Sequence, residues 1–221
     1  MKYLAVIPAR KGSKSLPRKN IYPFNGKSLI CWTIEAALKS KICDVVVTTD
    51  DPEILKVITF YEYPICIIER PDFLTEDNVP LAPVIAHALR QQTKIYDSVI
   101  TLQPTSPLRT DIHIIEAVAR FEMSRADSLL SVIEDYHSVW ERKPSGEVIA
   151  IRERLQNRQQ ETALYIANGA IFITKSDILL NKINRLGGKI EIYSMDRENS
   201  LDIHTEDDIK LGEFYLQREN K

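Results

Sequence analysis

Residues 3–20 read YLAVIPARKGSKSLPRKN, and the reading of this stretch decides the reading of the chain. Residues 3–7 form an apolar run of strand length. Behind them come Arg10, Lys11, Lys14, Arg18 and Lys19 with no acidic residue between. The C-terminal end of a first strand is where open α/β sheets bind ligands, and backbone N–H groups around Gly12 and Ser13 could cradle a phosphate. A solvated basic loop would show the same charges. Gly12 and Ser13 let the backbone approach a ligand closely, while Pro8 and Pro17 stiffen the two ends. The single glycine, Gly12, excludes both the two-glycine Walker A loop and the GxGxxG dinucleotide loop.

Working outward, strand and helix signals alternate. Leu29, Ile30, Thr33, Ile34, Ala37 and Leu38 recur at helical spacing, and residues 44–49 (DVVVTT) are a β-branched run. A short helix opens on Pro52 and runs over 52–61, followed by a strand at 65–68. Leu81, Val84, Ile85, Ala88 and Leu89 predict a helix over 80–92, before a strand at 98–102. Thr110 or Asp111 can cap a helix running to 122, with a strand at 128–133 behind it. Such alternation with short connections predicts parallel strands and right-handed crossovers, hence an α/β fold with a Rossmann-like, doubly wound, mostly parallel sheet. The alternation stops near Tyr136. Residues 136–166 are polar and mixed, with a turn at Pro144-Ser145-Gly146 and β-prone pieces at 148–151 and 163–166; they read as extended hairpins or as a long surface loop. The core resumes with a strand at 170–174, a helix at 176–185, a strand at 189–193 and a helix at 205–217, capped by Thr205 with Asp208 three residues on.

The chain has 221 residues, 44% of them hydrophobic, and no Pro/Gly/Ser-rich linker, which fits one domain over 1–221 with a substantial core. A formal net charge of −2 argues against nucleic acid as a partner. Cys31, Cys43 and Cys66 are an odd set without CxxC spacing, in apolar surroundings, as expected of reduced thiols in a cytoplasmic protein. The N-terminus enters a strand directly, so no signal peptide is expected. No apolar run approaches the ~20 residues that span a bilayer.

Four further stretches carry chemistry. In residues 67–77 (IIERPDFLTED), Arg70 leaves a strand end toward the edge that carries the basic loop. In residues 102–109 (LQPTSPLR), Gln103 can hydrogen-bond a base edge and Thr105 and Ser106 offer hydroxyls, although turn chemistry alone would account for such a segment. Residues 168–172 read NGAIF, and Arg158 lies in a charged stretch that reads as exposed. In residues 200–208 (SLDIHTEDD), an extended backbone would put Asp202 and His204 on one face, where they could share a cation. A carboxylate suits Mg²⁺, and an imidazole suits Zn²⁺ or Mn²⁺ better. Equally, His204 could simply adjoin the Thr205 cap, with Glu206, Asp207 and Asp208 as favourable charges at a helix N-terminus.

The N-terminal loop resembles IPARxGSKGxxxKN, the signature of the cytidylyltransferases that activate nonulosonic acids, the CMP-N-acetylneuraminate synthetase family. LQPTSPLR, NGAIF and SLDIHTEDD follow in that family's order. The resemblance implies CTP lying across the strand ends, bound by Arg10, Gly12, Ser13, Lys14, Lys19, Asn20, Arg70, Asp77 and Gln103. It implies an acidic nine-carbon sugar bound by Gln103, Thr105, Ser106, Asn168 and Phe172, with Arg158 on the carboxylate. It implies Mg²⁺, or Mn²⁺ in its place, at Asp202 and His204, with Lys19, Arg10 and Asp202 as catalytic residues. Residues 136–166 would be a dimerisation arm of a homodimer, with neither nucleic acid nor membrane as a partner. The chain departs from the family pattern at Ser15 (usually Gly), His204 (the second Asp of DID), Trp140 (a substrate-binding Lys) and Phe172 (Tyr). The expected acceptor is therefore N-acetylneuraminate, legionaminate or pseudaminate. Competing readings are a cytidylyltransferase for the eight-carbon acid of lipopolysaccharide, a sugar-1-phosphate nucleotidylyltransferase, and a nucleotide-binding protein without catalysis.

Overall fold

The structure, a computed structural model, describes residues 1–12, 15–152 and 162–219. Its strands are β1 (Tyr3–Pro8), β2 (Pro23–Phe24), β3 (Lys27–Ser28), β4 (Cys43–Thr49), β5 (Cys66–Glu69), β6 (Ser98–Leu102), β7 (Ser128–Asp135), β8 (Val139–Arg142), β9 (Val148–Arg152), β10 (Leu164–Lys175) and β11 (Ile190–Ser194). Its helices are α1 (Leu29–Ser40), α2 (Pro52–Phe60), α3 (Leu81–Arg90), α4 (Asp111–Ser124), α5 (Ser176–Lys182) and α6 (Glu206–Glu219).

A seven-stranded sheet in the order β11-β7-β10-β6-β1-β4-β5 forms the core. Strand side chains alternate between its two faces with period two. On β1, Ala5 and Ile7 join one core layer, with Ile30 and Ile34 of α1, Ile54 of α2 and Phe121 of α4. Leu4 and Val6 point the other way, to Ile85 and Leu89 of α3 and Leu179 of α5. Helices thus cover both faces, as a doubly wound sheet requires. The helix starts are set locally: Asp51 accepts a 2.9 Å hydrogen bond from Glu53 N ahead of Pro52, and Thr110 caps α4. A third cluster, Leu16, Phe24, Leu29, Leu108, Ile203 and Ile209, ties α6 and the basic loop to the start of α1.

The chain leaves β1 for α1 and β4 on one side, and β6 pairs with β1 on the other. The boundary between β1 and β6 is therefore the topological switch point, where open sheets form a crevice.

Two expectations are corrected. The β-prone pieces at 163–166 and 170–174 are one strand, β10, which runs antiparallel to both neighbours. Only the other six strands share a direction. Residues 164–166 therefore open β10 and pair with β7. β7 and β10 continue past it as a ribbon, with Leu164 opposite Asp135, and β8 and β9 form a separate hairpin. Trp140, Ile151 and Tyr165 are exposed on this projection. Cys66 is exposed on the edge strand, not enclosed in apolar surroundings, whereas Cys31 is buried. Burial pushes the Cys43 thiol up to about 11.

Candidate active site

At the switch point the ends of β1, β4, β5 and β6 surround a cleft of about 550 Å³, lined among others by Arg10, Ser15, Lys19, Asn20, Arg70, Asp77, Gln103 and Thr105. That volume is in the range of nucleotide-sized ligands. The basic loop is anchored at both ends: Ala9 N donates to Thr48 O at 3.0 Å, and Leu16 is buried in the third cluster. Asn20 Nδ2 spans the base of the loop to Arg10 O at 3.0 Å, so its amide braces the loop. Gly12 has φ +76° with open space where a Cβ would sit, which suits close approach of a ligand to the backbone. Ser13 and Lys14 lie outside the described residues, as does Arg158.

Arg10 pairs with Asp77 at 2.5 Å and donates to Thr75 O at 3.3 Å. The Arg10 cation is thus already neutralised by the opposite wall of the cleft. Arg70 is buried and donates from Nη2 to Thr48 O at 3.0 Å. Burial lowers its pKa to about 10, with Asp50 opposing the shift and Arg10 adding to it.

Lys19 lies in the single turn that closes the loop, behind Arg18, whose φ of 55° is left-handed. Its ammonium is buried and donates to Ile203 O at 2.8 Å. Burial lowers the Lys19 pKa, and the Asp202 and Asp208 carboxylates work against the shift. Asp208 accepts from His204 N, Thr205 N and Thr205 Oγ1 at 2.8 to 2.9 Å, which is the expected cap of α6. Residues 201–204 are not a strand, yet Asp202 and His204 do face each other: His204 Nε2 donates to Asp202 Oδ2 at 2.9 Å. A nitrogen that donates a proton has no lone pair for a metal. While that bond stands, Nε2 is taken, and of the expected pair the Asp202 carboxylate keeps an oxygen for a cation. Its Oδ1 is buried without a hydrogen-bond partner among the described residues. No group of three or more His, Cys, Asp or Glu that could hold a metal occurs among the described residues.

Gln103 Nε2 donates to Gly169 O at 2.8 Å. Gly169 has φ +77°, and a Cβ there would lie 2.9 Å from Gln103 Nε2 and 3.9 Å from Asp202 Oδ2. Gln103, Gly169 and Asp202 therefore converge, and the Asp202 charge reaches Lys19. Of the residues expected on the sugar side, Gln103 and Thr105 line the cleft, but three others are not free to do so. Ser106 is wholly buried. The Asn168 carboxamide is used up inside the fold: Oδ1 accepts from Ser131 Oγ (2.5 Å) and Ala170 N (3.1 Å), and Nδ2 donates to Ser200 Oγ (2.8 Å). Phe172 is buried, with the Arg185 guanidinium 4.0 Å from its ring centroid. Asn168 and Ser131 together make the register shift in β10 that turns the Gly169 carbonyl toward Gln103. Bulges of this kind recur beside active sites.

One residue of this neighbourhood had no assigned role. Arg109 closes the LQPTSPLR segment and is 1% exposed; its Nη1 donates to Ala170 O at 3.0 Å and Gln103 O at 3.3 Å. The only available signal was its place in that segment.

The cytidylyltransferase family pattern matches residues 4–214. The N-acylneuraminate cytidylyltransferase of Escherichia coli O18:K1:H7 is 33% identical over the whole chain, and the chain spans 53% of that protein. The pseudaminic acid cytidylyltransferase of Campylobacter jejuni serotype O:2 is 31% identical over 97% of the chain and 96% of its own length. Among solved structures, a CMP:2-keto-3-deoxy-manno-octonic acid synthetase complexed with CTP superposes with a TM-score of 0.75 at 15% identity, covering 99% of this chain and all of the other. At that identity the likeness is one of fold.

Proposed function

The chain belongs to the cytidylyltransferase family, and from that premise we propose that it activates a nonulosonic acid, converting CTP and the free sugar acid to the CMP-sugar and pyrophosphate. The observation that carries this reading is the convergence of Lys19, Gln103, Gly169 and Asp202 at the β1/β6 crevice.

In this reading an acceptor hydroxyl gives its proton to solvent as its oxygen attacks the α-phosphorus of CTP in line, the bond from that phosphorus to the bridging oxygen breaks, and pyrophosphate carries the displaced charge away. The chain's task is positioning and neutralisation of charge, because phosphoryl transfer asks for little covalent chemistry from the protein. Arg10 and Lys19 meet the phosphates, Gly12 and Asn20 shape the loop around them, and Arg70, Asp77 and Gln103 bound the nucleoside side. Thr105 and Gln103 face the acceptor. A divalent cation, Mg²⁺ or Mn²⁺, fits the buried Asp202 Oδ1, which has no hydrogen-bond partner among the described residues, together with phosphate oxygens, and when bound would supply electrophilic charge at the α-phosphate. His204 holds the carboxylate.

The acceptor is read as a nine-carbon acid because the relative matched over nearly its full length is a pseudaminic acid cytidylyltransferase. The exposed apolar side chains of the ribbon and the β8/β9 hairpin support a homodimer built through this projection. No helix among the described residues is long and apolar enough to cross a membrane, and the three free cysteines support a cytoplasmic setting.

The test is pyrophosphate release from CTP with Mg²⁺ across N-acetylneuraminate, legionaminate, pseudaminate and the eight-carbon acid, with Lys19→Ala as control. Turnover with one nine-carbon acid, lost in the variant, is expected. Turnover with the eight-carbon acid alone would overturn the acceptor assignment, and silence with every acid would overturn the activity.

A further inference from the structure

Arg109 is the wholly buried cation that the proposed chemistry leaves unused. Its guanidinium lies beneath the cleft, where Nη1 joins Gln103 O to Ala170 O, and Nε and Nη2 have no hydrogen-bond partner among the described residues. Burial displaces its pKa downward to about 9, with no carboxylate of the described residues contributing. A buried charge without a counter-ion costs the fold free energy, and an apolar residue of similar volume is often as good or better for stability. A tie between two loops could be made by a neutral amide. What the charge adds is a fixed positive potential directly behind Gln103, at the edge where a triphosphate and a carboxylate have to be gathered. The two carbonyls that it holds belong to Gln103 itself and to Ala170, the residue after Gly169, whose own carbonyl accepts from the Gln103 carboxamide.

We propose that Arg109 is a positioning residue for this site: its buried guanidinium fixes the Gln103 and Gly169–Ala170 backbones to each other, and its uncompensated charge favours the anionic substrates above it. The proposal rests on the cytidylyltransferase reading. The two fail separately, because calorimetry of CTP binding to the wild-type protein tests that reading, and comparison of variants tests this one.

The experiment measures thermal melting, CTP affinity by calorimetry, and kcat and KM for Arg109→Met, Arg109→Lys and Arg109→Gln. Arg109→Met is expected to melt at or above the wild-type temperature while CTP affinity and kcat each fall about 10-fold or more, the range for partners that orient a site's ligands. Arg109→Lys, which keeps the charge, should recover part of both losses, and Arg109→Gln should not. If Arg109→Met is insoluble, the Lys and Gln variants decide the matter between them. CTP affinity and kcat within twofold of wild type in Arg109→Met, or equal in Arg109→Lys and Arg109→Gln, would overturn the proposal and leave Arg109 a packing element.

Discussion

His204 Nε2 and Asp202 Oδ2 are joined by a 2.9 Å hydrogen bond, and the other oxygen of that carboxylate is buried without a partner among the described residues. On the proposed function the histidine would orient the carboxylate that meets the cation and would not bind the cation through that nitrogen. Removing such a partner typically costs about 10- to 100-fold in metal affinity. His204→Ala should weaken Mn²⁺ binding in the presence of CTP by that factor, read by electron paramagnetic resonance. His204→Gln, which keeps an N–H donor, should lose less. Equal affinities in all three proteins would show that the bond does not position Asp202.

Lys19 gives a pH dependence with a definite sign. Burial lowers its pKa, so in the folded state the proton leaves below the ordinary 10.5. If Lys19 neutralises phosphate charge, turnover should fall on the alkaline side as pH rises through that lowered value. Stability should move the other way. Between the lowered value and 10.5 the unfolded chain binds more protons than the folded one, so unfolding free energy rises with pH across that window. Lys19→Ala should lose on the order of 10²-fold in kcat. It should also lose the stability slope in that window, measured by denaturant titration at several pH values.

Gly169 should not tolerate a side chain. An alanine would carry a left-handed φ of +77° and place its Cβ 2.9 Å from Gln103 Nε2. The backbone penalty is roughly 1–2 kcal/mol. The displaced Gln103 adds a functional loss, so Gly169→Ala should raise KM for CTP by more than its fall in melting temperature would suggest. An unchanged KM would mean that Gln103 does not face the nucleotide.

Much of the sheet was legible because β1, β4 and β6 are short apolar runs separated by stretches of helical periodicity, and each link in that pattern is local. The direction of β10 was not. Asn168-Gly169 falls between the two β-prone pieces at 163–166 and 170–174, and here the Asn168 carboxamide joins them through a bulge with Ser131, a residue 37 positions away. The same limit applies to the site. Arg10, Lys19, Arg70 and Gln103 could be placed at one edge because each follows a strand end. The burial of Asn168, Ser106 and Phe172, and of Arg109 without a counter-ion among the described residues, follows from packing between distant segments. A Pro-Leu-Arg sequence by itself reads as a solvated turn.

The projection carries the remaining prediction. Trp140 (53% exposed), Ile151 (61%) and Tyr165 (50%) lie on a hairpin and a ribbon that extend from the sheet, with little of the fold behind them to bury apolar area. Large exposed side chains concentrated on one projection cost solubility unless a second surface covers them. If the cover is another copy of the chain, charge placed there should separate the copies without unfolding the domain, since the main core clusters draw no residue from β8 or β9. Ile151→Asp combined with Trp140→Glu should therefore convert a dimer to a monomer by light scattering, with the melting transition of the sheet retained. Should the acceptor site borrow a side chain from the partner, kcat/KM for the sugar acid would fall while CTP affinity held. A wild-type protein that is already monomeric at tens of micromolar concentration would refute the homodimer and leave these side chains for a different partner.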